Sequence, residues 1–306
     1  MIGIVRGILL ILTLAVGGAK ATTINVLNAW QAGTIGQTSI LGSTDAAIIS
    51  RMYQEFITLN QALANSHINN FNIAYVGAVK LPFLSGPNVS QVLLNAFKDQ
   101  SLQAAHDATH ADTTMLFVSY SPADYLGLTL GALGGGPPSP ESALSVINIA
   151  GNLDHYVYQH EWGHQLGAQH QLSGGVLGNT VGSPSYAHGF YVRWKQQFPI
   201  VGTVQYCGNT IMAYQATPNL SGVDCNVFGG YGDNHTILYF SNPNVSVYVA
   251  SVVNVDYYAA TGDSSSAYNA GMIGASAATV ANNHATKWFT GPALAGIISN
   301  FILLTE

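Results

Sequence analysis

The spacing of apolar and polar positions divides the chain into a regular first half and an irregular second half. Residues 23–29 (TINVLNA) are apolar and β-branched, which predicts a strand. Ser43 and Thr44 then supply a capping signal, and Ile48, Ile49, Met52, Phe56, Leu59 and Leu63 follow at helical spacing, predicting an amphipathic helix over 45–64. A second strand is expected at 71–79 (FNIAYVGAV), and after Ser85-Gly86-Pro87 a helix over 89–98 carries Val92, Leu93, Leu94 and Phe97. Residues 114–120 (TMLFVSY) and 143–149 (ALSVINI) read as two more strands, and GALGGGPPSP at 131–140 as a loop. Strands alternating with helices point to an α/β (α+β) fold with a mixed or parallel sheet. From 171 to 263 Gly, Ser, Asn and Pro are spread throughout, with short β-like pieces at 187–194 and 246–254, and a helix-like run at 265–287 closes the region. Neither a repeat nor a charged linker separates the halves, so 22–290 is read as one domain with an irregular C-terminal subdomain. The apolar tail 291–306 is too short to span a membrane and is expected to pack on that domain.

Composition narrows the class. Only 7% of the 306 residues are charged, where an ordinary soluble domain carries about 25%. Eight basic residues in a chain of net charge −6 form no phosphate-binding patch, so nucleic acid is excluded as a partner. The 48% apolar content excludes wholesale disorder. Low charge also suits a membrane protein, but only residues 7–18 (GILLILTLAVGG) approach the ~20 apolar residues of a span. They follow Arg6 and precede Ala19-Lys20-Ala21, the small-x-small pattern of a signal-peptidase site. Residues 1–21 are therefore expected to be a cleaved signal peptide rather than an anchor, leaving an exported chain, secreted or periplasmic, with net charge −8 and no stable membrane span. Cys207 and Cys225 are the whole thiol inventory. An even count in an exported chain favours a disulfide over two buried thiols, and closing this loop would stabilise by about 3 kcal/mol.

The chemistry is concentrated at 160–170, HEWGHQLGAQH. His160 and His164, four apart on a helix, can present their imidazoles to one ion, and Gly167 can take the positive φ that turns the chain so that His170 reaches the same ion. Three neutral imidazoles leave one position of a tetrahedral zinc open, as a catalytic site requires. Glu161 would stand beside the metal, not on it, taking a proton from the attacking water and returning it to the departing amine. Protons are expected to compete with such a metal below about pH 6. His106 and His110 (HDATH) share the four-residue spacing with Asp107 between them, but no third ligand follows, and they read as solvated helix residues. His67, His155, His188, His235 and His284 have no partner spacing.

HExxHxxGxxH resembles the zinc signature of the metzincin metallopeptidases, whose second mark is a methionine turn. GNTIMAY at 208–214 supplies a candidate, with Met212 as the apolar floor beneath the ligands. INVLNAW at 24–30, LNQALANSHI at 59–68, HADTTMLFVSY at 110–120 and YFSNPNVSV at 239–247 are similar to bacterial secreted members of the reprolysin-like (adamalysin-like) branch. The resemblance implies a zinc endopeptidase acting on protein or peptide substrates across a cleft at the metal. It also implies a twisted sheet and two long helices in the N-terminal subdomain.

Three features depart from that pattern. Gln171 follows the third histidine where many relatives carry Asp. Ala213-Tyr214 after the methionine resembles the astacin and serralysin branches, so Tyr214 is an extra ligand, a donor to the oxyanion or a core residue of the turn. The pattern starts at Ile24, directly after the expected leader, and no cysteine lies upstream, so neither a pro-segment nor cysteine-switch latency is expected. A surface binding or adhesion protein retaining the metal, and a zinc amidase acting on cell-wall peptides, are the alternative functions. Nothing in the sequence decides calcium binding or oligomeric state.

Overall fold

The computed structural model describes residues 22–31, 44–82, 84, 86–120, 126–129, 143–149, 156–171, 184–198, 202–213, 226–227, 236–252 and 255–282. Strand β1 (Thr22–Gln31) is followed by helix α1 (Asp45–Asn65) and strand β2 (Phe71–Leu81). Thr44 caps α1 as its sequence implies, its Oγ1 accepting the Ala47 N–H at 3.2 Å, and Asp45 adds a favourable charge to the first turn. Asn88 caps α2 (Val89–Lys98) through the Gln91 N–H. Asp99 ends α2 and caps α3 (Gln100–Thr109), its carboxylate accepting the Leu102 N–H at 2.8 Å. Strands β3 (Thr113–Val118), β4 (Gly127–Thr129) and β5 (Leu144–Asn148) precede the site helix α4 (Val157–Gln165).

The five strands form one sheet in the order β2-β1-β3-β5-β4. Its first four strands run parallel, β1 and β2 joined through α1 and β2 and β3 through α2 and α3, and β4 closes one edge antiparallel to β5. The twofold period of a strand distributes alternate residues to opposite faces. Met115 and Phe117 of β3 and Ile147 of β5 enter a core shared with α1, α4 and the last helix. Leu116, Val118 and Val146 enter a second core beneath α2 with Leu93 and Phe97. The result is the mixed-sheet α/β fold expected from the sequence.

Beyond α4 lie β6 (Tyr191–Phe198), β7 (Gly202–Asn209) and β8 (Asn226–Val227) in a small sheet, then the hairpin β9 (Ser246–Val252) and β10 (Val255–Ala260), and helix α5 (Asn269–Val280). Several elements differ from expectation. The β-like piece at 246–254 is the first half of a hairpin whose second strand is largely exposed and so lacks an apolar alternation. The run read as 265–287 becomes helical only at Asn269, because Asp263 Oδ1 accepts the Ser265 and Ser266 N–H groups and closes a turn first. Helix α3 buries only Leu102 and His106, too few for a readable stripe, and β4 is three residues beginning with glycine. The expected leader 1–21, the loop 131–140, Tyr214, Cys225 and the tail 291–306 lie outside the described residues. Among the described residues no helix is long and apolar enough to cross a membrane.

Candidate metal centre

Helix α4 sits against the sheet, and its neighbours hold it there through buried contacts on several sides. Tyr158 donates to Asn28 Oδ1 at 3.0 Å, and Asn28 donates in turn to Met52 O on α1. Gln159 donates to the Glu55 carbonyl at 2.9 Å. Trp162 and Tyr158 are fully buried, stacked on Phe71 and Phe117 respectively. These contacts fix the helix rotation, and with it the direction of the two histidines one turn apart.

His160 and His164 leave α4 on the same face, and the helix ends at Leu166. Gly167 takes φ +84°, and a side chain there would also collide with Met272 of α5, so the turn has two reasons to be glycine. The chain then returns to place His170 against the other two. The three Nε2 atoms lie 3.0–3.1 Å apart. His160 Nδ1–H donates to Ile211 O at 2.8 Å and His164 Nδ1–H to Ala168 O at 2.7 Å, which assigns those tautomers and leaves the Nε2 lone pairs facing inward. Lone pairs converging at such distances repel one another unless a cation lies among them, so the donor set fits a metal, and three neutral imidazoles suit zinc. Burial acts in the same direction: it pulls His160 down to about 4 and lowers His164 and His170 as well, so all three favour the neutral form that ligates.

Among the described residues this is the only group of three His, Cys, Asp or Glu side chains close enough to hold one ion, and Glu161 is not part of it. The Glu161 carboxyl instead lies against β4. Burial raises it to about 8 despite a hydrogen bond from Thr129, which acts the other way. Met212 is fully buried beneath α4: a side chain at Gly163, between the two ligands, would come within 2.6 Å of its Sδ. The turn that carries Met212 also supplies Ile211 O to His160, so it orients a ligand as well as flooring the site. Gln171 is buried.

Of the HDATH pair, His110 is exposed as the sequence suggested and His106 is not. His106 is 1% exposed, packed under α3 with its Nδ1 3.6 Å from the Asp107 carboxylate, and His110 turns into the left-handed conformation at the end of the helix. Two neighbours of the centre had no signal in spacing. His188 meets the His170 carbonyl through Nδ1 at 2.6 Å, brought there by a bridge between Gln169 and His188. Thr129 reaches Glu161 across 32 residues of sequence.

Comparison with known proteins agrees with this geometry. The family model described as metallo-peptidase family M12 matches residues 23–223, which include all three histidines and Met212. No curated protein matches the chain. A solved structure entitled "Structure of a chaperone-substrate complex" is similar over 87% of this chain and 35% of that one, at 18% identity and a TM-score of 0.56. Metalloproteinase-II from Bacteroides fragilis is similar over 55% of this chain and 49% of its own, at 14% identity and a TM-score of 0.34. The chain thus spans about a third and about half of the lengths of these two proteins. With a family match over most of its length, converging on the three-histidine cluster, this chain belongs to metallo-peptidase family M12.

Proposed function

We propose that this protein is an exported zinc-dependent endopeptidase. The observation that carries the reading is the convergence of the His160, His164 and His170 Nε2 atoms within 3.1 Å, with two of the rings anchored through Nδ1 to backbone carbonyls. Zinc, when bound, supplies the Lewis acidity that polarises the scissile carbonyl and acidifies water. The chain supplies the proton transfers. Glu161, buried beside the ligands but outside their cluster, accepts the proton of the attacking water and returns it to the departing amine. Burial raises its proton affinity, which suits the step that holds the proton before returning it to the amine.

Export rests on the leader-like residues 1–21, and a Cys207–Cys225 disulfide is the companion of that reading. Protein or peptide substrates follow from the family. The experiment is chelation: treating the purified protein with phenanthroline is expected to abolish cleavage of casein, and stoichiometric zinc to restore it. Cleavage that persists after zinc is removed to below a tenth of an equivalent would defeat the proposal. If casein is spared while cell-wall peptides are cut, the amidase alternative takes its place.

A further inference from the structure

Glu161 is held by a chain of hydroxyls that the three-histidine motif does not contain. Gln165, Ser145, Thr129 and Glu161 are all buried. The Gln165 amide nitrogen donates to Thr114 O at 3.1 Å, and because a carbonyl only accepts, this contact fixes which end of the amide is NH₂. Its other hydrogen goes to Ser145 Oγ at 2.7 Å. Ser145 accepts there, and its own proton has Thr129 Oγ1 at 2.6 Å and the Glu161 carbonyl at 3.4 Å within reach, of which the shorter contact is the better acceptor. Thr129, accepting from Ser145, directs its single proton to Glu161 Oε2 at 2.6 Å, in preference to the more distant Glu161 carbonyl at 3.1 Å. When Glu161 is ionised, donation thus runs from an amide fixed by a backbone carbonyl on β3 to a carboxylate oxygen.

The other oxygen is placed by the same strand. Gly127 stands two residues before Thr129 and so on the same face of β4. A side chain there would come within 2.5–2.8 Å of Glu161 Cγ, Oε1 and Cδ. One inward position of β4 therefore offers a hydroxyl to Oε2, and the other, having no side chain, lets the carboxyl lie against its backbone on the Oε1 side.

We propose that Thr129 is a positioning residue for proton transfer: its hydroxyl, polarised through Ser145 by Gln165, holds Glu161 Oε2 and leaves Oε1 as the oxygen that exchanges protons. This rests on the peptidase reading above, in which Glu161 is the base.

The test compares the zinc-loaded parent with Thr129→Val, which keeps the shape and removes the hydroxyl, and Thr129→Ser, which restores it. In Thr129→Val, kcat on a fluorogenic peptide is expected to fall about 10- to 100-fold, the range for losing a hydrogen bond to a charged group. KM should stay within about twofold and zinc at one per chain, and Thr129→Ser should recover kcat to within about threefold. Thr129→Ala makes the same prediction as Thr129→Val and serves if valine is not accommodated. A parent-like kcat in Thr129→Val, or a Thr129→Ser variant as slow as Thr129→Val, would overturn the proposal.

A second readout does not depend on cleavage. Glutamate occurs at only four positions, so labelling its carboxyl carbon with ¹³C gives few signals, and the one missing from Glu161→Gln is that of Glu161. At one fixed pH that signal is expected to move in Thr129→Val and return in Thr129→Ser. A stationary signal would overturn the bond whatever the assay gives. A moving signal in a chain that cleaves no peptide would instead uphold the bond and defeat the peptidase reading.

Discussion

Among the described residues, the regions before and after the site helix share an apolar core but weight apolar packing and buried polar bonding differently. From β1 to β5 the structure is held by apolar side chains: Ile24, Val26, Met52, Phe56, Leu59, Met115 and Phe117 fill one face of the sheet, and Leu93, Phe97, Leu116 and Val146 the other. After α4 a larger part of the work falls to buried neutral polar groups that bond to backbone. Asn209 donates to Ala213 O and Thr236 Oγ1, Asn242 to Ser66 O and Thr261 to Asn242 O. Ser241 donates to His188 O and accepts from the Asn269 N–H. Amides and hydroxyls can be buried at lower cost than ionised groups when every bond is made. The sparse charge of the chain is consistent with an interior stitched in this way.

The difference is open to attack by mutation, and the largest effect is expected in the first region. Phe117→Ala, which empties a fully buried ring from the sheet core, should cost about 3–5 kcal/mol in urea unfolding. Asn242→Ala, which leaves the Ser66 carbonyl without its 2.7 Å donor, should cost about 1–3 kcal/mol, far more than its size implies. A cost below about 0.5 kcal/mol, that of an ordinary surface change, would remove the polar-stitching account of the second region. Thr44→Ala, which deletes the cap of α1 in the first region, should cost about 1 kcal/mol.

The comparison also explains what could be read in advance. Elements of the first region were legible where they bury a stripe of their own residues: α1 was expected over 45–64 and spans Asp45–Asn65, and α2 matches its expected span. The zinc-type cluster was legible because its three histidines lie within eleven residues on one helix and its turn, so local geometry alone brings them together. Thr129, Gly127 and His188 were not, because they arrive through the closing of a sheet edge and a bridge between distant segments. Strands β7 and β8 and the exposed β10 were missed because their pairing is a matter of backbone, not of apolar periodicity.

Burial at the site bears on one expectation drawn from the sequence, that protons compete with the metal below about pH 6. The folded imidazoles are lowered, His160 to about 4, from an ordinary value near 6.5. Protons therefore compete for these nitrogens only well below pH 6. Zinc content measured after dialysis is expected to stay flat from pH 7 to about 5 and to fall by about pH 4. In the metal-free chain the sign is also fixed. An unfolded histidine takes up a proton below about 6.5 that the folded one refuses, so the stability present above that pH is lost as pH falls toward 4. The raised Glu161 acts oppositely: its contribution is complete below its unfolded value of 4.5 and is lost as pH rises through about 8. Three imidazoles outweigh one carboxyl on the acid side, so thermal melts in chelator should fall between pH 6.5 and 4.

The central claim is that His160, His164 and His170 hold one zinc while Glu161, outside that cluster, moves the proton. Parallel measurement of zinc content and casein cleavage in Glu161→Ala tests it most directly. The variant is expected to retain one zinc per chain and to lose cleavage by at least about 100-fold. A Glu161→Ala protein that holds its zinc and cleaves casein as fast as the parent would contradict the account.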